Sequence, residues 1–280
     1  MKKRYLIIDV GKCENCNNCF LACKDEHCGN DWPGYSVSQP DHGHRWMNIL
    51  RKERGRYPFV DMAYLPKPCL HCDPAPCMAA VDDGTIYRRE DGIVIIDPDK
   101  ARGRQEIVEA CPYGAVWWNE VQAVAQKCTL CAHLLDRGWK QPRCVQACPT
   151  GALTIHHIED GDAREMIRSR QLEVLENKNG PPLAQVLYRN LYRFKGAFIA
   201  GSVAFGRNSA AECAAGATVE LRKEGERIDR QTTDAFGDFK FDGLPENSGV
   251  YSVSIRHGEK GAADLEVRVE ASRSLGTIWL

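Results

Sequence analysis

Apolar residues follow two different patterns along the chain, and the change comes after Lys195. In the first part, the apolar runs are short and stand directly before cysteine-rich loops. Tyr5–Val10 and Gly92–Asp97 are two such runs, and their length predicts strands. A strand that enters a cysteine loop therefore occurs twice, which indicates an internal duplication. A short helix is predicted over Phe20–Glu26, after the first loop.

After Lys195, apolar residues alternate with polar or charged ones. Val219 and Leu221 are one example, and Phe239 and Phe241 are another. Glycines and Asp-containing turns separate about seven such segments, a spacing that predicts a small β-sandwich. The C-terminal part, residues 196–280, is therefore predicted to be an all-β domain.

The segment between these two parts has a helical pattern. Ala163, Met166 and Ile167, with further apolar positions up to residue 175, permit an amphipathic helix over residues 161–176. The sequence at 177–182 then predicts a turn or linker, because proline cannot continue a helix and glycine favours its end.

Composition excludes several classes of protein. The 280 residues include 37 basic and 38 acidic side chains, and this balance gives no indication of a nucleic acid or an anionic membrane as partner. No apolar run reaches the length of about 18 residues that a membrane span needs. Of 14 cysteines, 13 precede residue 149 and only Cys213 follows it, so the two parts differ in chemistry as well as in pattern.

Disulfides and zinc are the two alternatives for so many cysteines. A disulfide framework is typical of small secreted domains, and we expect no secretory leader before Cys13. Zinc sites often use Cys-x2-Cys pairs, but rarely three cysteines at this spacing followed by a fourth. The remaining interpretation is that the thiolates bind iron-sulfur clusters. Such clusters suit a reducing compartment, so a cytoplasmic location is favoured.

The first cysteine loop has the spacing C-x2-C-x2-C-x3-C, formed by Cys13, Cys16, Cys19 and Cys23. In bacterial ferredoxins with this spacing, three thiolates bind one [4Fe-4S] cluster and the fourth binds the other. The run therefore predicts a complementary group downstream. That group is present at residues 128–148, with the spacing C-x2-C-x12-C-x3-C.

Cross-ligation divides twelve cysteines into three sets of four, each for one [4Fe-4S] cluster. Set 1 is Cys13, Cys16, Cys19 and Cys148; set 2 is Cys23, Cys128, Cys131 and Cys144; set 3 is Cys69, Cys72, Cys77 and Cys111. Cys28 and Cys213 remain outside these sets and are interpreted as small apolar residues or idle thiols.

A fourth cluster site has been lost from the duplicated copy. The intervals of the first run, counted back from Cys111, end on Ala101, Arg104 and Ile107, and the cross-partner would be Val81. All four positions lack a thiol, so we expect the site to be filled by packing. Arg104 is predicted to lie near it, where it forms a salt bridge, influences a cluster potential, or is an ordinary surface arginine.

Residues 28–66 form an insertion without cluster spacing, rich in aromatic and basic residues. Two interpretations remain open: a folded insertion with a solvated basic face, or a docking surface for a partner subunit, since aromatic residues and arginine are enriched at interfaces. The residues concerned are Trp32, Tyr35, Trp46, Tyr57, Phe59 and Tyr64, with Arg45, Arg51, Lys52, Arg54 and Arg56.

These motifs resemble the iron-sulfur subunits of the dimethyl sulfoxide reductase class of molybdopterin enzymes. The segments that carry the resemblance over about residues 1–155 are Glu90–Val94, Cys111–Ala115, Lys127–Cys131 and Cys144–Ala152. The three-cluster pattern, Gly43–Asn48, Asn190–Phe194 and the trailing β-domain are similar to the small subunits of enzymes that hydroxylate or transhydroxylate pyrogallol, phloroglucinol and resorcinol. Lys24 follows Cys23 where ferredoxins have proline, a difference that some clusters of this class share.

The resemblance implies a fold and a function. The fold is α+β: a ferredoxin-like domain at 1–160 that carries the insertion, a helix and linker at 161–195, and a transthyretin-like or carboxypeptidase-regulatory-like sandwich at 196–280. The β-domain shows no catalytic constellation, so a structural role is favoured over carbohydrate binding. His257 stands alone in it and is interpreted as a solvated histidine.

The implied function is electron transfer to or from a larger subunit that holds a molybdenum bis-pterin, in a heterodimer or a higher oligomer of anaerobic aromatic metabolism. This chain itself is expected to be non-catalytic, because it contains no nucleotide fingerprint and no domain of the size that a molybdopterin needs. Two alternatives remain: a subunit of another molybdopterin oxidoreductase, and a free-standing polyferredoxin.

Overall fold

The structure is a computed structural model that describes residues 2–159, 161–176, 184–206, 211–258 and 260–280. The chain forms two compact units. The first contains Met1–Leu50 and Tyr64–Leu191, and the second contains Arg51–Ala63 and Tyr192–Leu280. The predicted linker at 177–182 lies outside the described residues.

The helices are short. In chain order they are α1 (Asn18–His27), α2 (Pro76–Ala79), α3 (Glu106–Glu109), α4 (Ala132–Asp136), α5 (Arg143–Gln146), α6 (Ala163–Ser169) and α7 (Tyr192–Lys195). None of the helices in the described ranges is both long and apolar enough to cross a membrane.

Strands provide most of the regular structure. Those of the first part are β1 (Lys2–Asp9), β2 (Asn48–Arg56), β3 (Phe59–Lys67), β4 (Ile86–Arg88), β5 (Val94–Ile96), β6 (Val116–Asn119), β7 (Val124–Lys127), β8 (Leu153–Glu159) and β9 (Val186–Arg189). Those of the last part are β10 (Ala197–Phe205), β11 (Glu212–Cys213), β12 (Thr218–Lys223), β13 (Glu226–Thr232), β14 (Asp238–Leu244), β15 (Gly249–His257), β16 (Gly261–Val269) and β17 (Arg273–Trp279).

The first unit is built on a three-stranded sheet with the order β8-β1-β9. Strand β1 is the central strand, since it pairs antiparallel with β8 and parallel with β9. Its consecutive middle residues, which point to opposite faces, are all buried, as a continuous apolar run predicts. Leu6 and Ile8 are fully buried. Three small two-stranded sheets complete this part of the chain: β2-β3, β4-β5 and β6-β7.

Strands and helices thus alternate with the cysteine loops as the apolar pattern predicts. Strands β1 and β5 occupy the two predicted positions, and α1 covers the predicted short helix with two more residues at its start and one more at its end. Asn17, just before α1, has a left-handed backbone with φ of 62°, which turns the chain from the cysteine loop into the helix.

The prediction of a helix over 161–176 is correct only for its first half. Helix α6 ends at Ser169, and Gln171 then adopts a left-handed backbone with φ of 51°. Beyond it, Glu173 forms a β-bridge to Tyr188, while Leu172 packs with Tyr5 and Leu187. Contacts with the sheet therefore override the helical period of this segment.

The second unit contains two four-stranded sheets around one core. One sheet has the order β11-β10-β14, with β17 also paired to β10, and the other has the order β13-β12-β15-β16. The alternation predicted for Val219 and Leu221 is observed, because both side chains are fully buried while Glu220 between them is not. Strands of both sheets contribute to one apolar cluster, which is the arrangement of a sandwich.

The β2-β3 hairpin brings part of the insertion into this second unit. Arg54 is buried with only 1% of its side chain exposed, and it forms salt bridges with Asp61 and Asp242. Lys52 pairs with Glu246 at 2.7 Å. Arg54 and Lys52 of the insertion are therefore held in ion pairs within this unit rather than lying on a free basic face.

Candidate iron-sulfur centres

Set 1 combines three cysteines of the first loop with Cys148, which stands two residues after the end of α5. Burial, with smaller contributions from neighbouring thiols, raises the pKa of Cys19 to about 12. The neighbouring thiols that act on it are Cys13, Cys148 and Cys16. The structure therefore brings these four side chains together across more than 100 residues of chain. Cys16 is exposed, and Cys13 and Cys148 are half-buried.

Set 2 is the most deeply buried, since all four of its thiols are enclosed. Burial raises the pKa of Cys23 well above its usual value, and Cys128 and Cys131 raise it further. Burial likewise raises the pKa of Cys144, with contributions from Cys131, Cys128 and Cys23. The fourth cysteine of the first run thus lies beside the downstream group.

Set 3 surrounds one cavity. Cys69, Cys72, Cys77 and Cys111 all line it. Burial and the other three thiols raise the pKa of Cys72 to about 12. The remaining lining is largely apolar and consists of Leu70, His71, Ala75, Pro76, Val94, Pro112, Ala115 and Val116.

Backbone N–H groups point at several of the sulfur atoms. His71 N–H donates to Cys69 Sγ at 3.5 Å, Leu130 N–H to Cys128 Sγ at 3.4 Å, and Ala115 N–H to Cys111 Sγ at 3.4 Å. His71 and Leu130 have left-handed backbones, with φ of 50° and 49°. Such turns direct successive N–H groups inward and form a concave site for an anion, which a thiolate-bound cluster is.

The three sets follow one another in space. Cys19 of set 1 raises the pKa of Cys144 in set 2, and Cys69 of set 3 raises the pKa of Cys128 in set 2. In each case burial is the larger cause, but the added effect of the neighbour requires proximity. Set 2 therefore adjoins both set 1 and set 3.

The residues fit [4Fe-4S] clusters in number and chemistry. Each set offers four thiols, and iron binding would replace the thiol protons that burial otherwise retains. In the described residues, no three His, Cys, Asp or Glu side chains converge closely enough to hold a single metal ion. Each thiolate of a cubane binds a different iron, so its ligands need not converge on one point.

The region predicted to have lost a fourth cluster is packed with apolar side chains. Ala101 and Ile107 are fully buried and Val81 is nearly so, and α2 packs against α3 there. Arg104 lies at the surface of this region. It forms salt bridges with Asp83 and Glu106, both at 2.6 Å, and both partners are about half exposed, so Arg104 is a surface arginine held in ion pairs.

Two cysteines belong to none of the sets. Cys28 is half-buried, with its Sγ 3.5 Å from the carbonyl oxygen of Pro40. Cys213 is exposed in β11. His257, interpreted from sequence as solvated, instead has its Nε2 3.0 Å from the Ala215 carbonyl oxygen and its ring against Phe205. It is a packed strand-end residue.

A group of aromatic and imidazole side chains beside set 2 was not indicated by the sequence. His27 Nε2 lies 4.0 Å from Cys131 Sγ, and its ring centroid lies 4.8 Å from that of Trp46. His133 stacks on Trp32 at 4.1 Å. Gln39 Nε2 lies 3.9 Å from Cys23 Sγ. The aromatic part of the insertion therefore covers set 2 from solvent, a role that no spacing motif would indicate.

Comparison with known proteins gives consistent results. Residues 60–158 match the family described as 4Fe-4S dicluster domain. The chain is 44% identical to the pyrogallol hydroxytransferase small subunit of Pelobacter acidigallici, over 100% of both chains. It is 34% identical to a sulfite dehydrogenase subunit of Allochromatium vinosum, over 61% of this chain and 75% of that one. It is 33% identical to a tetrathionate reductase subunit of Salmonella typhimurium, over 64% and 70%.

Among solved structures, 5-hydroxyisourate hydrolase of Klebsiella pneumoniae matches 30% of this chain and 84% of its own, with a TM-score of 0.25 and 21% identity. The minor pilin of Streptococcus agalactiae matches 45% of this chain and 58% of its own, with a TM-score of 0.25 and 16% identity.

Proposed function

We propose that this chain carries three [4Fe-4S] clusters and serves a molybdopterin catalytic subunit. The premise is that the chain belongs to the iron-sulfur subunits of the dimethyl sulfoxide reductase class and is related over its whole length to the pyrogallol hydroxytransferase small subunit. The catalytic subunit hydroxylates or transhydroxylates a polyhydroxylated benzene. The chain is an electron-transfer subunit, and we place the complex in the cytoplasm.

One observation carries the cluster assignment: twelve thiols lie in three consecutive sets of four. We assign one cluster to each of sets 1, 2 and 3, with the ligands given above. When bound, such clusters accept and release single electrons. Sets in sequence then provide a path for electrons through the first unit, with set 1 nearest the surface because Cys16 is exposed.

The protein itself buries and orients the thiolates and donates hydrogen bonds to their sulfur atoms. Enclosure of set 2 excludes water, and the N–H groups that face Cys69, Cys111 and Cys128 stabilise negative charge on sulfur. Covering side chains such as Trp46, which is 2% exposed, keep solvent away. These features together set the potentials at which electrons can be held.

Full-length similarity supports the phenolic substrate class. The hydroxytransferase relative is matched over 100% of this chain, whereas the sulfite dehydrogenase relative is matched over 61%. The similarity to the first therefore includes the second unit. We assign that unit to the transthyretin-like sandwiches on its two facing sheets, with a structural role toward the catalytic subunit.

The experiment is purification of the tagged chain from its host, followed by identification of the co-purifying subunit. We expect a larger subunit that contains molybdenum, and a complex that converts pyrogallol or resorcinol-type phenols. Conversion of a sulfur oxyanion in place of phenols would instead support a subunit of another molybdopterin oxidoreductase. A stable monomer that reduces several unrelated enzymes would support the free-standing polyferredoxin.

A further inference from the structure

Lys127 is a buried lysine between two of the thiol sets. It is the last residue of β7 and only 2% exposed. Its Nζ donates to the carbonyl oxygens of Val94 and Cys128, the latter at 3.2 Å. No carboxylate of the described residues lies within salt-bridge distance of it. Buried ammonium groups are usually paired with an anion, so this arrangement requires another source of negative charge.

Each hydrogen bond of Lys127 leads to a different set. Val94 lines the cavity of set 3, and its N–H donates to His71 Nδ1 at 3.0 Å. The N–H of His71 in turn donates to Cys69 Sγ. The other acceptor belongs to Cys128, a member of set 2. The ammonium therefore touches the backbone that encloses set 3 and the backbone that carries set 2.

We propose that Lys127 is a fixed cation shared by the clusters of sets 2 and 3, which raises the reduction potentials of both relative to that of set 1. The inference rests on the assignment of clusters to these sets. Four thiolates make each cluster anionic, and reduction adds one more negative charge. A cation held in a low-dielectric site between them stabilises the reduced form of each. Lys127 thus acts on the reduction potentials through its charge and takes no part in a bond-making step.

The electrostatics of the thiols agree with this placement. Burial raises the pKa of Cys77, and Lys127 opposes it more strongly than any other group. Burial also raises the pKa of Cys128, and Lys127 again acts in the opposite direction. One lysine therefore acts on a thiol of set 3 and a thiol of set 2.

Arg88 provides a contrast within the same region. Its guanidinium donates to the carbonyl oxygen of Cys72, in set 3, but it is also paired with Asp73 at 3.6 Å and is partly exposed. Its charge is therefore partly compensated and screened, and it contacts one set only. Substitution of Arg88 should affect the potential of set 3 alone, and less strongly than substitution of Lys127.

The test is a redox titration of the cluster-loaded complex, followed by electron paramagnetic resonance of each cluster. Lys127→Met removes the charge at similar length, Lys127→Arg retains it, and Lys140→Met is a matched control at an exposed lysine. We expect Lys127→Met to move two of the three potentials to lower values and leave the third unchanged. Lys127→Arg, which keeps the charge, should leave all three potentials close to those of the unaltered complex, and Lys140→Met should have no effect.

Unchanged potentials in Lys127→Met, at full iron content, would overturn the proposal. An equal shift in Lys127→Arg would also overturn it, because the cause would then be altered packing. If Lys127→Met assembles without its full iron, Lys127→Gln replaces it in the same titration, with the same expected and contradicting results. Glutamine keeps an N–H donor for the Val94 carbonyl oxygen and lacks the charge. Failure of the cluster assignment is recognised separately, by an iron content of the unaltered complex that does not correspond to three clusters.

Discussion

Arg54 and Asp242 form a buried salt bridge that ties the β2-β3 hairpin to strand β14 within the second unit. The two residues are 188 positions apart in the chain. Arg54 also bonds Asp61 at 3.3 Å, and its guanidinium lies 5.2 Å from the centroid of the Phe198 ring. A residue that looks like part of a basic surface patch in the sequence is thus a structural element of the C-terminal sandwich.

Removal of one partner of this pair should destabilise the second unit. Asp242→Asn leaves the buried guanidinium with Asp61 alone, and we expect a loss of about 3 kcal/mol in the free energy of unfolding, near the lower end of the range for a broken buried pair. Urea unfolding followed by far-ultraviolet circular dichroism measures it. The control is Asp264→Asn, which breaks the exposed pair with Arg256 and should cost much less, because solvent screens an exposed ion pair. Equal losses in both variants would contradict this.

The same ion-pair network predicts a dependence on acid pH. Burial alone would raise the pKa of Asp61, but the hydrogen bond and charge of Lys240, with the charges of Arg193 and Arg54, outweigh burial and lower it. The folded pKa thus lies below the unfolded value of about 3.9. The charged carboxylate stabilises the fold fully above that value, and its contribution is lost as pH falls through the folded pKa.

Asp61→Asn provides the measurement for this dependence. The difference in melting temperature between the unaltered protein and Asp61→Asn should be constant above about pH 5 and shrink below about pH 4. A difference that grows on acidification would show that the carboxyl is protonated more easily in the folded state, contrary to the ion pairs observed.

At the lost cluster site, we expect apolar packing rather than iron to stabilise the fold. Ile107→Ala removes a fully buried side chain and should lower the free energy of unfolding by about 2–4 kcal/mol. Iron content should not change, because no thiol of the three sets is altered. Val121→Ala, at a position 85% exposed, is the control and should change neither quantity. Loss of one cluster in Ile107→Ala at unchanged stability would mean that the region still holds iron.

Substitution of a cysteine in one of the three sets should lower the iron content, whereas substitution of Cys28 or Cys213 should not. Cys72→Ala takes one thiol from the set 3 cavity, and we expect loss of up to about four irons per chain and of one resonance signal. Cys28→Ala and Cys213→Ala should retain all iron, because neither thiol is assigned to a set. Iron analysis of the three purified variants decides this. Equal iron loss in Cys28→Ala would mean that Cys28 is a ligand.

Sequence spacing could predict much of the site, because ligand intervals are a local property of the chain. The C-x2-C-x2-C-x3-C rule led from Cys23 to its partners at 128–144, and the structure places Cys23 beside Cys128 and Cys131. Alternation likewise predicted the buried faces of β12 and β14. These features depend on short-range periodicity, which a single sequence displays directly.

Other features depend on contacts between distant segments and left no local signal. Leu172 has the spacing of a helical residue but packs with Tyr5 and Leu187, so α6 ends early. Lys127 stands next to Cys128 in the sequence, yet only the fold shows that it is buried and bonded to the backbone of two sets. Trp32 and His133 stack across about a hundred residues, a pairing that no motif encodes.

The measurement that tests the central claim most directly is the iron and acid-labile sulfide content of this chain in its purified complex, corrected for any iron in the partner subunit. Three sets of four thiolates predict about twelve irons and about twelve sulfides per chain. About eight would mean that one set is empty. About sixteen would mean that a fourth cluster is present despite the packed site at Ala101 and Ile107, and either value would contradict the three-cluster account.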